Sequence, residues 1–383
     1  MILFNPPMKK TDRSINKTDK VIYNIFSINL GIKNSEKVLV IGDGYNQKLK
    51  EIGRRITETG KIFSKDIKYL EYKPTGCHGI EPPEEIWKEA FGNSIYTQIK
   101  KKNYIDPLIA KRTSDKQNRE IEGIIRKYKK ETVDAVIALS YFSTSHTRFR
   151  NYLNTLCGTR YASMPLFDEE MLEGAMRVDW NRMKKRTETI ASYVNKVEWI
   201  EVETPNGTSI RLSKKGRKAL ADTGIITRSG AFSNLPAGEV FLAPVEGTAQ
   251  GKLVLEWAPT SKLKKPVTLY VEKGMVIKAE GKDNYLKYLI KMLKENRLNA
   301  NIAELGIGTN DKAKRPDNIL ESEKIFGTIH IALGDNSTFG GKVRTPFHQD
   351  FVFFKPTVTL IDKYGKKKLL LRKGKPALQA IVK

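Results

Sequence analysis

Cysteine is scarce in this chain: its 383 residues include only Cys77 and Cys157, and no CxxC pair. That excludes a disulfide-stapled secreted scaffold and a four-cysteine metal site. It suits a reducing compartment with two free thiols. Long apolar runs are missing as well. The longest, around Ala135–Phe142, is broken by Ser140 and falls far short of the roughly 20 residues a membrane-spanning helix needs. Met1–Lys10 has Asn5-Pro6-Pro7 where a signal peptide would be apolar, so the sequence predicts a cytoplasmic protein with no membrane partner. HExxH, low-complexity linkers and internal repeats are all absent. Apolar patterning is present. Runs such as Val38–Ile41 and Val133–Leu139 recur, which excludes a disordered chain.

Acidic residues are also few relative to basic ones, 43 against 68, for a formal net charge of +25. Such a surface suits anionic partners, or is simply a lysine-rich solvated face. Residues 101–150 hold 12 basic and 6 acidic residues, and residues 351–383 hold 9 and 1. Residues 301–350 go against this trend with 6 basic and 7 acidic, and two of the four histidines, His330 and His348, lie there. An acidic pocket in a basic protein is a place to look for a bound cation.

The first half alternates strand and helix. Val38–Ile41 and Ala135–Leu139 read as short buried strands, and Leu49–Thr59 and Asn118–Lys130 as helices. Residues 168–195 read as one helical stretch opened by Asp168. Beyond it the pattern becomes strand-rich. Asn206-Gly207 joins Val197–Val202 to Ser209–Leu212 as a hairpin, and Lys273-Gly274 turns Val267–Val271 into Met275–Ala279. One helix, Asn284–Asn296, interrupts. The expected architecture is an α/β N-terminal domain, residues 1–195, and a mostly β (α+β) metal-binding catalytic domain, residues 196–383.

Four segments place metal-competent side chains beside glycines or apolar strand residues. They are Asn234–Phe241 with Glu239, Ala303–Asn310 with Glu304, Glu321–Asn336 with Glu323 and His330, and His348-Gln349-Asp350. Strand residues two apart share a face, so His348 and Asp350 converge. Two imidazoles with carboxylates suit Zn, Co, Mn or Fe. The plainer alternative is a satisfied core histidine at His330 and an exposed pair at His348 and Asp350. Glu304 stands out because Gly306 and Gly308 follow it, bringing backbone close to something or permitting positive φ. A half-buried acid there needs a counter-charge.

These segments, in this order, resemble the thermophilic leucyl aminopeptidase group, of the aminopeptidase T type. The likeness covers roughly residues 150–360, with a weaker one before. It implies two adjacent divalent ions (Zn, Co or Mn) held by Glu239, Glu304, His330, His348 and Asp350, with Glu304 bridging. It also implies a homodimer and a peptide substrate. Gly238 stands where members often have an acid, and Ser337 where they have a tyrosine. The expected activity is aminopeptidase hydrolysis by metal-activated water, with Glu304 and Glu323 catalytic. The alternative keeps His330, His348 and Asp350 as a two-histidine, one-carboxylate set for a single ferrous ion. A ring-cleaving dihydroxypyridine dioxygenase resembles the same group. Side chains splayed apart, or a lysine amine in the hollow, would argue against either cage. A nucleic-acid role for Lys111–Lys130 lacks any recognised motif. Gly42-Asp43-Gly44 reads as a plain strand-to-helix turn, since position 47 is Gln where a dinucleotide fingerprint has glycine.

Overall fold

The computed structural model describes residues 17–382, so the Met1–Lys10 segment read for targeting signals lies outside the described residues. The chain forms two compact units. One extends to Glu173 and includes Ile226–Phe232; the other holds Gly174–Ile225 and the chain from Ser233 onward. The N-terminal region is mixed α/β and the C-terminal region is richer in strands, as expected. No helix among the described residues is long and apolar enough to cross a membrane.

In the first unit, β1 (Lys37–Gly42), β2 (Asp66–Glu71), β3 (Ala135–Ala138) and β4 (Arg160–Ser163) pair in parallel in the order β2-β1-β3-β4. β3 and β4 are buried throughout, and β1 nearly so. Parallel strands with both faces covered require such continuous apolar runs. Asn46 caps the helix Gln47–Gly60 by accepting from Leu49 N at 2.8 Å. Leu49, Ile52 and Ile56 then bury its apolar stripe. Asp43 is fully buried and takes hydrogen bonds from Phe142 N at 2.9 Å and Tyr45 N at 3.3 Å. Gly42-Asp43-Gly44 is therefore a turn stitched to the loop after β3. His78 Nδ1 accepts from Ser143 N at 2.9 Å. Thr144 and Ser145 bond Tyr161 and Ser163 at 2.7 and 2.9 Å, so these hydroxyls are used within the unit. On the basic helix Asp115–Tyr128, Lys127 Nζ covers the Tyr128 ring.

The expected helix over 168–195 is broken. Glu169–Glu173 ends at Gly174, whose φ of −113° and ψ of −105° leave helical space. A new helix, Trp180–Val194, starts where Asp179 accepts from Arg182 N at 3.0 Å.

The second unit starts its strands with β5 (Trp199–Glu203), β6 (Ser209–Ser213) and β7 (Leu220–Asp222). β8 (Phe232–Asn234) is a short strand at the boundary between the two units. There follow β9 (Glu239–Leu242), β10 (Gln250–Ala258), β11 (Ser261–Glu272) and β12 (Met275–Gly281). The last are β13 (Ile302–Gly308), β14 (Ile329–Gly334), β15 (His348–Phe353), β16 (Thr357–Ile361), β17 (Lys367–Arg372) and β18 (Lys375–Pro376). They form an eight-stranded sheet, β12-β11-β10-β6-β5-β16-β17-β18, and a five-stranded sheet, β15-β14-β13-β9-β7. One apolar cluster takes Leu305, Ile331 and Phe351 from the smaller sheet and Ile200, Leu253 and Val358 from the larger. Each such side chain contributes about 1.5–3 kcal/mol through burial.

Both cysteines are free: Cys77 is exposed and Cys157 half-buried. Burial pushes the Cys157 thiol up to about 11. One thiol per chain is expected to react rapidly with a disulfide reagent at pH 8 and the second roughly 100-fold more slowly. Loss of the fast phase in Cys77→Ser checks the assignment.

Candidate metal centre

β13 shows how one strand serves both a core and a site. Alternation sends Leu305 and Ile307 into the apolar cluster and leaves Glu304, Gly306 and Gly308 on the other face. β14 repeats the division: Ile329, Ile331 and Leu333 join the core, while His330, Ala332 and Gly334 face away from it. The second face therefore carries acids and imidazoles among residues with almost no side chain. Antiparallel pairing brings distant positions together across it. Gly306 lies opposite His330, Gly308 opposite Glu239, Ala332 opposite Asp350 and Gly334 opposite His348. A register shift between Ile302 and Glu304 sets Glu304 opposite Ala332.

The polar side chains meet in a continuous line. Glu239 Oε2 and Glu304 Oε1 each lie 3.3 Å from His330 Nε2. Glu304 Oε2 is 3.5 Å from His348 Nε2, which is 3.3 Å from Asp350 Oδ2. His348 Nδ1 is fixed on the other side by donating to the Asp335 carbonyl at 2.7 Å. His330, at 1% exposure, is sealed, whereas 27% of the His348 side chain remains open. The two glycines supply room, since neither has a left-handed φ. A Cβ on Gly306 would fall 1.9 Å from His330 Nε2, and one on Gly308 would fall 2.1 Å from the Ile325 carbonyl oxygen. The close approach inferred from the glycine spacing is thus to an imidazole and to a loop backbone.

Charge governs the titration of the cluster. Burial opposes a charged His330, but its bond to Glu304 and the charges of Glu239 and Asp350 prevail and lift it to about 9. His348 rises to about 10 against the same opposition, through Asp350 and Glu304. Burial pushes Glu304 up, while the imidazoles draw it back. Asp350 is buried too, yet His348 holds its carboxyl well below the usual range. A field that binds protons so strongly at two imidazoles also favours a divalent cation.

A lysine amine does stand at one side of this cluster. Lys324 is wholly buried, and its Nζ lies 2.7 Å from Glu239 Oε1 and 2.8 Å from Glu323 Oε2. Asp222, opposite Glu239 on β7, is pushed up to about 6 by burial and by Glu239, with Lys324 drawing it back. Glu323 is pushed up to about 8 by burial, against the attraction of Lys324. Sequence reasoning missed Lys324 and Asp222. Glu323-Lys324 reads as an ordinary solvated charge pair, and the one hint was its place within a segment already rich in ligand types. Ser337, at the position where the aminopeptidases have tyrosine, is exposed and turns its hydroxyl to Asp335 Oδ1 at 3.0 Å.

The remaining groups fit a cation. Donor atoms of Glu304, His348 and Asp350 all lie within 4.8 Å of one another, as do those of Glu239, Glu304 and His330. Asp350 Oδ1 is buried with no hydrogen-bond partner. Imidazoles and carboxylates together are a ligand set for a first-row divalent metal. The arrangement can hold a metal ion.

A family model described as NicX, 2,5-dihydroxypyridine 5,6-dioxygenase, matches residues 157–365, a span that contains every residue of the cluster. The 2,5-dihydroxypyridine 5,6-dioxygenase of Pseudomonas putida is 23% identical over 196 residues, 47% of this chain and 56% of that protein. The alignment thus spans little more than half the length of that relative. The solved structure of the 2,5-dihydroxypyridine dioxygenase from Pseudomonas putida KT2440 has a TM-score of 0.70 at 16% identity, over 96% of this chain and 100% of that one. Wild-type AmpT from Thermus thermophilus has a TM-score of 0.59 at 12% identity, over 94% and 99%. Likeness at such identities is one of fold alone. The family match overturns the expectation built on the aminopeptidase T resemblance, including the metalloprotease activity and the peptide substrate. With more than half of its length matched, the chain belongs to the 2,5-dihydroxypyridine 5,6-dioxygenase family.

Proposed function

We propose that the protein is a mononuclear non-haem iron dioxygenase that opens a dihydroxylated aromatic or N-heteroaromatic ring. One observation carries this reading beyond family membership. Both imidazole Nε2 atoms face the single Glu304 carboxylate, at 3.3 and 3.5 Å, with Asp350 beside the second. That supports His330, His348 and Asp350 as the two-histidine, one-carboxylate set that holds one ferrous ion. A bound ferrous ion supplies the redox chemistry that lets dioxygen react with an electron-rich ring.

The chain's own residues do the rest. Glu304 sits between the imidazoles, where its carboxylate takes the proton a ring hydroxyl gives up. Asp335 holds His348 through Nδ1 and so fixes the direction of Nε2. Phe339 packs edge-to-face on both His348 and Phe241, with ring centroids at 6.0 and 5.7 Å. This gives the accessible side of the cluster an apolar wall that suits a flat ring. Every residue named lies within 196–383, which supports that span as the catalytic domain. The cysteine usage supports a reducing, cytoplasmic setting.

The test is anaerobic loading with ferrous iron, followed by oxygen uptake in the presence of 2,5-dihydroxypyridine. The expected result is one iron per chain and one dioxygen consumed per ring lost. An iron-loaded protein that consumes no oxygen with dihydroxylated pyridines or benzenes would overturn the reading.

A further inference from the structure

Two sets of donor atoms share Glu304: one with Glu239 and His330, the other with His348 and Asp350. By spacing alone this is a cage for two cations bridged by one carboxylate. Lys324 changes that count. Its ammonium bonds Glu239 Oε1 at 2.7 Å and Glu323 Oε2 at 2.8 Å, lengths typical of charge-assisted hydrogen bonds. The lysine stem is fully buried, so the charge cannot swing out to solvent.

We infer that Lys324 is a built-in cation that keeps a second ion away from Glu239 and so limits this centre to one metal ion, held at the His348 and Asp350 side with His330. The inference rests on the reading of the cluster as a metal centre. An ion in the first set would use Glu239 Oε2, the other oxygen of the carboxylate that Lys324 already holds. Ion and ammonium would then share one carboxylate inside a buried cluster, where like charges repel strongly. Access points the same way. The side chains of Glu239 and Glu304 are 9% exposed and that of His330 is 1%, whereas His348 is 27% exposed, so an entering ion meets the second set first. Glu239 is left as the partner of Lys324 and a guide for His330, which it meets at 3.3 Å. A single first-row ion held by two imidazoles and a carboxylate is what the proposed reaction uses, and a fixed ammonium keeps a second ion from crowding it.

The experiment counts ions. Metal-free wild-type protein, Lys324→Met and Lys324→Gln are equilibrated with excess Co(II), and bound metal is measured by elemental analysis and titration calorimetry. Wild type is expected to bind one ion. The variants are expected to bind two, the second at least about 100-fold tighter than any second ion on wild type. Removing the ammonium leaves Glu239 and Glu323 buried without a counter-charge, so the variants fold less well without metal. Their melting temperatures are then expected to rise further with added Co(II) than that of wild type. Wild type that binds two ions overturns the inference while leaving a metal centre in place. Wild type that binds none overturns the metal reading itself. Variants that stay at one ion, or that Co(II) neither stabilises nor refolds, overturn the role of Lys324.

Discussion

Gly306→Ala is expected to strip the centre of bound iron while leaving most of the fold intact. The added Cβ would lie 1.9 Å from His330 Nε2, 2.0 Å from Cε1 and 2.7 Å from Nδ1. The imidazole has nowhere to retreat, because it is 1% exposed and its Nε2 is flanked by Glu239 and Glu304. Nor can the backbone give way easily, since β13 is paired on both sides, with β14 and with β9. The ring must leave its position, and the centre loses one of its two imidazoles. Iron affinity and turnover should fall by roughly 100-fold or more. Overpacking should cost about 1–3 kcal/mol of stability. Gly308→Ala is the comparison. There the Cβ meets the Ile325 carbonyl oxygen at 2.1 Å, which is backbone. Its main effect should be a lower melting temperature, with the folded fraction still binding iron. Metal analysis after anaerobic loading, set beside thermal melts, separates the two. A Gly306→Ala protein that binds iron at wild-type affinity would remove His330 from the ligand set.

The fold was legible wherever local chemistry decided it. Val38–Ile41 and Ala135–Leu139 are continuous apolar runs, and buried parallel strands demand such runs. Asn206-Gly207 and Lys273-Gly274 mark real turns, and Gly207, Lys273 and Gly274 all have positive φ. The stretch 168–195 misled because its helix formers are continuous in composition. Gly174 and Asp179, a breaker and a cap inside that run, outweighed propensity. Strand order was not legible at all. Nothing local in Leu220–Asp222 says that it will lie beside Glu239.

The site was legible in residue type and misleading in family. Period-two spacing identified His348 and Asp350 as neighbours, and their nitrogen and oxygen are 3.3 Å apart. The glycines after Glu304 signalled a close approach that proves to be His330. The error came from counting carboxylates as cation ligands without asking which already had a partner. Glu239 and Glu323 share an ammonium that adjoins them only after folding. A lysine next to a glutamate looks the same in sequence whether it is solvated or sealed. Ligand count therefore favoured two metals, and with them hydrolysis, on the presence of Glu239 with Glu304, and Lys324 already holds the first of these.

Asp350→Asn should weaken metal binding and also change how that binding depends on pH. Asp350 keeps its charge despite burial, because His348 and the bond to it hold the carboxyl far down. Its Oδ1, buried and without a hydrogen-bond partner, is then available to a ligand as an anion. The same pair holds a proton on His348 up to about 10, and the acids around His330 hold one there up to about 9. A metal that binds near neutral pH must displace those protons. Wild-type affinity should therefore rise as pH increases from 6 to 9 and fall as pH decreases, by about tenfold per unit for each proton released. Replacing the Asp350 carboxylate by an amide removes the largest charge holding the His348 proton, so that ring should titrate closer to its ordinary 6.5. The variant is expected to bind metal roughly 100-fold more weakly and to release about one proton fewer at pH 7. Titration calorimetry of Co(II) into metal-free protein, in buffers of different ionisation enthalpy, counts those protons directly. Equal proton release from wild type and Asp350→Asn would show that the two residues are not coupled. A variant with undiminished affinity would place the metal elsewhere.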